Sequence, residues 1–351
     1  MKNLIIRKPD DWHLHLREGL VLKNIIKYTT EYFGRAIVMP NTNEPVTTIE
    51  RAVSYKKEIL DAIALGTNFD PLMTIYLTDE TNKEELKRGY KDKVFFAGKL
   101  YPANATTNSR HGVKEIKNIY KLFEIMEDIG MPLLIHGEVT DSNVDIFDRE
   151  EVFIDRELNQ IINRFPRLKV VLEHITTRYA VEFVMEKKIH ATITPHHLHI
   201  NRNAMFFGGL NSDFYCLPVA KREFNRLSLI KAATSGIENF FLGTDSAPHM
   251  REWKAFCGCA GIFNAPVALS SYLKVFQEEN SLDKFEAFAS LNGPKFYNLP
   301  PNQEKINLVY ESFKVDDFVE ISDSFKVVGK IKKFHAGEFL NWRIQNDSHS
   351  S

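Results

Sequence analysis

The sequence predicts a (β/α)8 TIM barrel, an α/β fold, with a short C-terminal appendage. Short apolar runs alternate with longer segments of helical period, the pattern of repeated βα units, and eight such runs occur. Five of them end, at the last residue or two, in a side chain that can bind a metal. In a parallel barrel the strand ends converge on one mouth, so those five ends form one site. An open doubly wound sheet would place a ligand at a strand-order switch and not around a ring.

Taken in order, the strands fall near 10–16, 35–40, 71–77, 94–99, 131–136, 168–174, 189–194 and 240–245. Helices are expected between them: ERAVSYKKEILDAIALG closes on Gly66 and VKEIKNIYKLFEIMEDIG on Gly130, glycine supplying a left-handed cap. The first metal-binding motif arrives at His13, which leaves too little chain ahead of it for a sandwich built from both termini. Residues 306–344 alternate like strands and are expected to pack on the barrel flank. The reading is thus one domain over 1–351, with the barrel at about 8–305 and the appendage at about 306–345. The last residues, NDSHSS, read as disordered.

Composition narrows the function. The 351 residues are 44% hydrophobic, enough for one large core. With 45 Lys+Arg against 46 Asp+Glu, no global field draws in nucleic acid or an anionic membrane, so a small-molecule partner is expected. Three cysteines leave an odd thiol in any pairing, and MKNLIIRKPDDW has no signal-peptide core, which fits a reducing cytoplasm. No apolar run approaches the ~20 residues of a membrane span.

The five ends carry His13 and His15 in WHLHLRE, Lys99 in VFFAGKLYP, His136 in MPLLIHGE, His174 in VVLEHITT and Asp245 in FFLGTDSAP. Strand alternation points His13, His15 and Arg17 one way and Trp12, Leu14 and Leu16 the other. One His-x-His is a weak signal, but matching residues at four further strand ends are not expected by chance. Lys99 would be costly as a buried ammonium; desolvated, it becomes nucleophilic and can capture CO2 as a carbamate, a two-oxygen bridging ligand. Nitrogen and oxygen donors without thiolate suit Zn²⁺, with Mn²⁺ or Co²⁺ as substitutes. The expected centre therefore holds two Zn²⁺ per subunit, bridged by carboxylated Lys99 and a hydroxide. His13, His15 and Asp245 are assigned to one ion, His136 and His174 to the other. Asp245, a ligand beside that hydroxide, is also expected to serve as the catalytic acid–base that accepts its proton.

The blocks DDWHLHLRE, VMPNT, GKLYPANATTNS, MPLLIHGEV, EHITT, TPHHL, YCLPVAKR, GTDSAPH and CGCAGIFNAP, in that order, resemble the short-chain, class II dihydroorotases of the amidohydrolase superfamily. The resemblance implies a metal-dependent hydrolase barrel, an N6-carboxylated Lys99, a homodimer, and reversible conversion of L-dihydroorotate to N-carbamoyl-L-aspartate in pyrimidine biosynthesis. It also implies substrate contacts at Arg17, Asn41, His136, Leu217, His249 and Ala260, with Thr106 and Thr107 on a mobile lid. The stretch MREWKAFC between His249 and Cys257 departs in detail from the family pattern.

One feature points the same way without the resemblance. Arg17 sets a guanidinium beside a cluster of cations, so an anion belongs there, and a planar fork suits a carboxylate. The bland alternative is a salt bridge to Glu18 or another acid at the rim. A hydantoinase or dihydropyrimidinase would share the ligands but want an apolar pocket at Arg17; a phosphotriesterase-like enzyme gains nothing from the arginine, and a non-catalytic scaffold would have lost ligands. The cluster His196, His197 and His199 reads as supporting or surface histidines, and Cys257 and Cys259 as a buried structural pair.

Overall fold

A computed structural model describes residues 3–345; the expectation for NDSHSS lies outside them. Eight parallel strands follow one another around a ring in sequence order. They are β2 (Asp10–Leu14), β3 (Arg35–Val38), β4 (Asp70–Leu77), β5 (Ala97–Leu100), β6 (Leu133–Ile135), β7 (Val170–Leu172), β8 (His190–Ile193) and β9 (Phe240–Leu242), preceded by β1 (Asn3–Arg7) outside the ring. Each of the eight apolar runs supplies one ring strand. The ring closes through two backbone bonds at its mouth, Asp245 N–H to His13 O (2.7 Å) and His15 N–H to Ser246 O (3.0 Å).

Inside the ring Trp12, Ile37, Ala97, Leu134, Val171 and Phe241 pack together. Tyr297, from the helix Asn292–Tyr297, plugs the bottom by stacking on Trp12 with ring centroids 4.6 Å apart. Strict alternation had placed Trp12 on the face opposite His13. A bulge between Asp11 and Leu14 corrects this: the register against β3 shifts there, so Trp12 joins the inner cluster while Leu14 and Leu16 join the outer one against the helices. Gly293 accommodates Trp12, since a Cβ there would lie 1.9 Å from the indole nitrogen.

Helix Tyr120–Ile129 ends at Gly130 in the left-handed conformation. Helix Ile49–Asp61 does not reach Gly66. It stops at Ala62, whose N–H bonds back to Ile59 O in a tightening turn, and Gly66 (φ +83°) serves the loop beyond. After the barrel come β10 (Lys305–Lys314), β11 (Phe318–Ser322), β12 (Val327–Lys332) and β13 (Phe339–Ile344). β10 and β13 form an antiparallel sheet with β1, so the chain ahead of the His-x-His contributes a strand to the flank; β11 and β12 pair as a hairpin. Among the described residues no helix is long and apolar enough to cross a membrane.

Candidate active site at the barrel mouth

The strand ends bring the five motifs together. His13 Nε2 lies 3.5 Å and His15 Nε2 3.0 Å from Asp245 Oδ1, and the three donor atoms fit within 4.8 Å of one another. His136 Nδ1 and His174 Nε2 meet at 3.2 Å, and the His13 and His174 rings are 4.9 Å apart, which joins the two groups. Burial lowers the pKa of His13, His15 and His174, keeping them neutral and able to ligate. Lys99 is fully buried on β5, and its Nζ has no hydrogen-bond partner among the described residues. Burial brings its pKa down to about 8, against the pull of Glu173 and Asp245. Burial likewise raises the pKa of Asp245, with His13 opposing.

Buried acids around the ligands went unnoticed in the sequence. His13 Nδ1–H donates to Glu173 Oε2 (2.9 Å), which leaves Nε2 as the lone pair facing Asp245. Thr192 Oγ1 donates to the same carboxylate oxygen (2.5 Å) and accepts from His174 N–H (2.7 Å). His136 Nε2–H donates to Glu138 Oε2 (2.8 Å), which frees Nδ1. Asp11 accepts the backbone N–H of His13 and Thr244 and the Thr244 hydroxyl, fastening the first ring strand to the last beneath the ligands. Glu173 and Glu138 sit one and two residues from ligands, the only signal the sequence offered.

Three of these positions carry backbone strain. Arg17 (φ +58°), His174 (φ +42°) and Asp245 (φ +45°) occupy the left-handed region that non-glycine residues avoid, a conformation held by the surrounding structure.

A small cavity opens above the ligands. His13, His15, His136, His174 and Asp245 line it, as do Arg17, Asn41, Leu217, Ala260, Thr106 and Thr107. Lys99 lies below the lining, and His249 borders an adjoining pocket shared with His15, Arg17 and Asn41. Arg17 makes no ion pair among the described residues: Glu18 is taken by Arg51 (2.5 Å), while the guanidinium donates to Pro248 O (3.1 Å) and His249 Nε2 (2.9 Å). The loop after β5 folds over the cavity, with Asn41 Nδ2–H donating to Thr107 O (3.0 Å) and Thr107 Oγ1–H to Ala260 O (3.2 Å). Tyr101 OH donates to Asn41 Oδ1 (3.1 Å) and holds that amide in place.

The remaining clusters are structural. His197 Nε2–H donates to Pro218 O and its Nδ1 meets Thr194 Oγ1; His196 Nδ1 accepts from Asn264; His199 Nε2–H donates to Ser271 O. His196, His197 and Cys216 are close enough for an ion, but both nitrogens of His197 are already engaged. Cys257 and Cys259 are bonded to each other, yet Cys257 is exposed. The expectation of a buried pair is corrected because Cys257 ends the largely exposed helix Arg251–Cys257, and Cys259, beyond its Gly258 cap, is half-buried.

A closed parallel barrel whose mouth gathers four imidazoles, a carboxylate and a desolvated amine has the build of a metal-dependent hydrolase. The sequence matches the amidohydrolase family over residues 5–310. The dihydroorotase of Synechococcus sp. (strain CC9902) is 58% identical over 340 residues, 96% of each chain. Two crystal structures are similar throughout. The dihydroorotase of Campylobacter jejuni has a TM-score of 0.88 and 33% identity over 98% of both chains. That of Saccharomyces cerevisiae, in complex with 5-fluoroorotic acid, has a TM-score of 0.89 and 31% identity over 98% of this chain and 99% of that one. The chain belongs to the amidohydrolase family and, within it, to the dihydroorotases.

Proposed function

We propose that this chain opens and closes the cyclic amide of L-dihydroorotate, interconverting it with N-carbamoyl-L-aspartate in pyrimidine biosynthesis. The observation that carries the reading is Arg17, a guanidinium without a counter-ion among the described residues that faces the same cavity as the ligand histidines. An anionic substrate neutralises it; an uncharged cyclic amide would not. The yeast relative was solved with an anionic pyrimidine, 5-fluoroorotic acid.

The donor set fits two divalent ions, Zn²⁺ by preference: His13, His15 and Asp245 for one, His136 and His174 for the other, with Lys99 between them as a carbamate. The partnerless Lys99 amine, whose pKa burial lowers to about 8, supports the carbamate: in its neutral form its nitrogen adds to CO2 and releases one proton. When bound, the ions supply Lewis acidity and make water nucleophilic near neutral pH. Arg17, Asn41 and His249 hold the substrate carboxylate, while Thr106 and Thr107 close over the ring and exclude water. Asp245 takes a proton from the attacking water and hands it to the departing ring nitrogen; in ring closure it runs the reverse path. A homodimer belongs to the same reading and is checked by light scattering in solution.

The test follows dihydroorotate absorbance with purified protein, with chelator and with restored Zn²⁺. No turnover by the metal-loaded protein overturns the reading. Asp245→Asn, with metal content measured alongside, is expected to lose about 10²–10⁴-fold in kcat; wild-type turnover in the loaded variant removes the shuttle.

A further inference from the structure

Helix Arg251–Cys257 is packed against its hydrophobicity. Trp253 and Phe256 are 61% and 89% exposed, while Lys254, on the same short helix, is 6% exposed. Burying a lysine in place of two aromatics is unfavourable unless its ammonium is fully used. Here it is. Nζ donates to three backbone carbonyls, Tyr215 O (3.0 Å), Cys259 O (3.1 Å) and Gly261 O (2.6 Å), matching the three donors of an ammonium. Among the described residues no carboxylate shares the cage: Asp213, an acid whose charge Lys254 feels, is paired with Lys332 (2.8 Å).

The carbonyls it binds flank the cavity wall. Those of residues 259 and 261 turn to Lys254, and the one between, Ala260 O, turns to the site, where it accepts from Thr107 Oγ1–H (3.2 Å). Tyr215 O, two residues before Leu217, also receives Gly261 N–H (3.0 Å), so one point ties the two loops together. Gly261 (φ +145°) passes so close to Ala247 that a Cβ would lie 2.8 Å from its side chain, which leaves the wall little room to shift.

We propose that Lys254 is a positioning residue for substrate binding: its ammonium cage locks the backbone on both sides of Ala260 to the segment leading into Leu217, and so builds the wall on which the Thr107 loop closes. The inference rests on the reading of this cavity as the substrate site. It assigns Lys254 no contact with substrate, metal or reacting atoms.

Lys254→Met keeps the unbranched stem, one atom shorter, and removes the three donors. In this variant KM for dihydroorotate and for carbamoyl aspartate is expected to rise about tenfold or more, with kcat changed by less than roughly threefold and bound Zn²⁺ equal to wild type. Hydrogen exchange without substrate is expected to speed up at residues 215–217 and 259–262 and to stay unchanged in the barrel strands. Lys254→Arg keeps the charge but cannot aim three N–H groups into one cage, so an intermediate KM is expected; it carries the test if Lys254→Met does not fold. A wild-type KM in either folded variant, or unchanged exchange in both loops, overturns the proposal. Should the wild-type protein fail to turn over dihydroorotate, the substrate reading falls, and the exchange experiment still decides whether Lys254 ties the loops.

Discussion

Replacing Glu173 by glutamine removes one charge and almost no volume, at a carboxylate with no exposure to solvent. That carboxylate accepts from His13 Nδ1 at 2.9 Å and from Thr192 at 2.5 Å. It makes the His13 ring a better donor at Nε2 and holds it turned to Asp245. A glutamine can still accept one bond there, but the charge assistance, worth about 1–2 kcal/mol over a neutral bond, is gone. Losing such a partner typically weakens metal binding by roughly 10–100-fold, or about 1.4–2.7 kcal/mol. Glu173→Gln is therefore expected to release Zn²⁺ from the His13 side at a chelator concentration that leaves wild type loaded. Competition against a chromogenic chelator, with circular dichroism as a fold control, measures this. A Zn²⁺ affinity within about twofold of wild type in the folded variant would refute the orienting role and reduce Glu173 to a buried structural acid.

Arg17→Met should raise KM for dihydroorotate by about 10²-fold, the loss of a charge-assisted bidentate contact, with metal content unchanged; an unaltered KM would place the carboxylate elsewhere. Gly293→Ala pushes a methyl into the Trp12 indole and should lower stability by about 1–3 kcal/mol in urea melts, whereas a neutral result would mean that the barrel floor yields freely. Stability should also fall as the pH drops from about 6.5 towards 4. Burial lowers the folded pKa of His197 to about 4 and of His199 to about 3, so in that window the unfolded chain binds protons that the folded one refuses. Urea midpoints that stay flat from pH 7 to 4.5 would contradict this.

The ring was legible because buried parallel strands read as continuous apolar runs, and the ligands because each sits where such a run meets the polar mouth. His13, Lys99 and Asp245 stand out for that reason alone. The bulge that swings Trp12 inward was not legible, since one residue of slip leaves the hydrophobic pattern intact and shows only in the pairing with β3. Strand β1 was missed because its partner, β10, lies some 300 residues on, and five residues of mixed character carry no period of their own. Lys254 defeats pattern reading altogether: on a surface helix a lysine beside tryptophan and phenylalanine is expected to be the residue in water. Its burial follows from three backbone carbonyls, Cys259 O and Gly261 O just beyond the helix and Tyr215 O from an earlier loop, and backbone carbonyls leave no mark in a side-chain pattern.

The two bonds that shut the ring run between residues 13–15 and 245–246, among the ligands themselves. Where other neighbouring strands share a ladder, this junction has a single isolated bridge, Leu14 to Ser246. A cation gripped by His13, His15 and Asp245 would rivet the two extremes of the barrel across their weakest joint. Stripping it should therefore soften the molecule at one hoop end first, and a nascent polypeptide would not complete this three-ligand pocket until its 245th residue has left the ribosome.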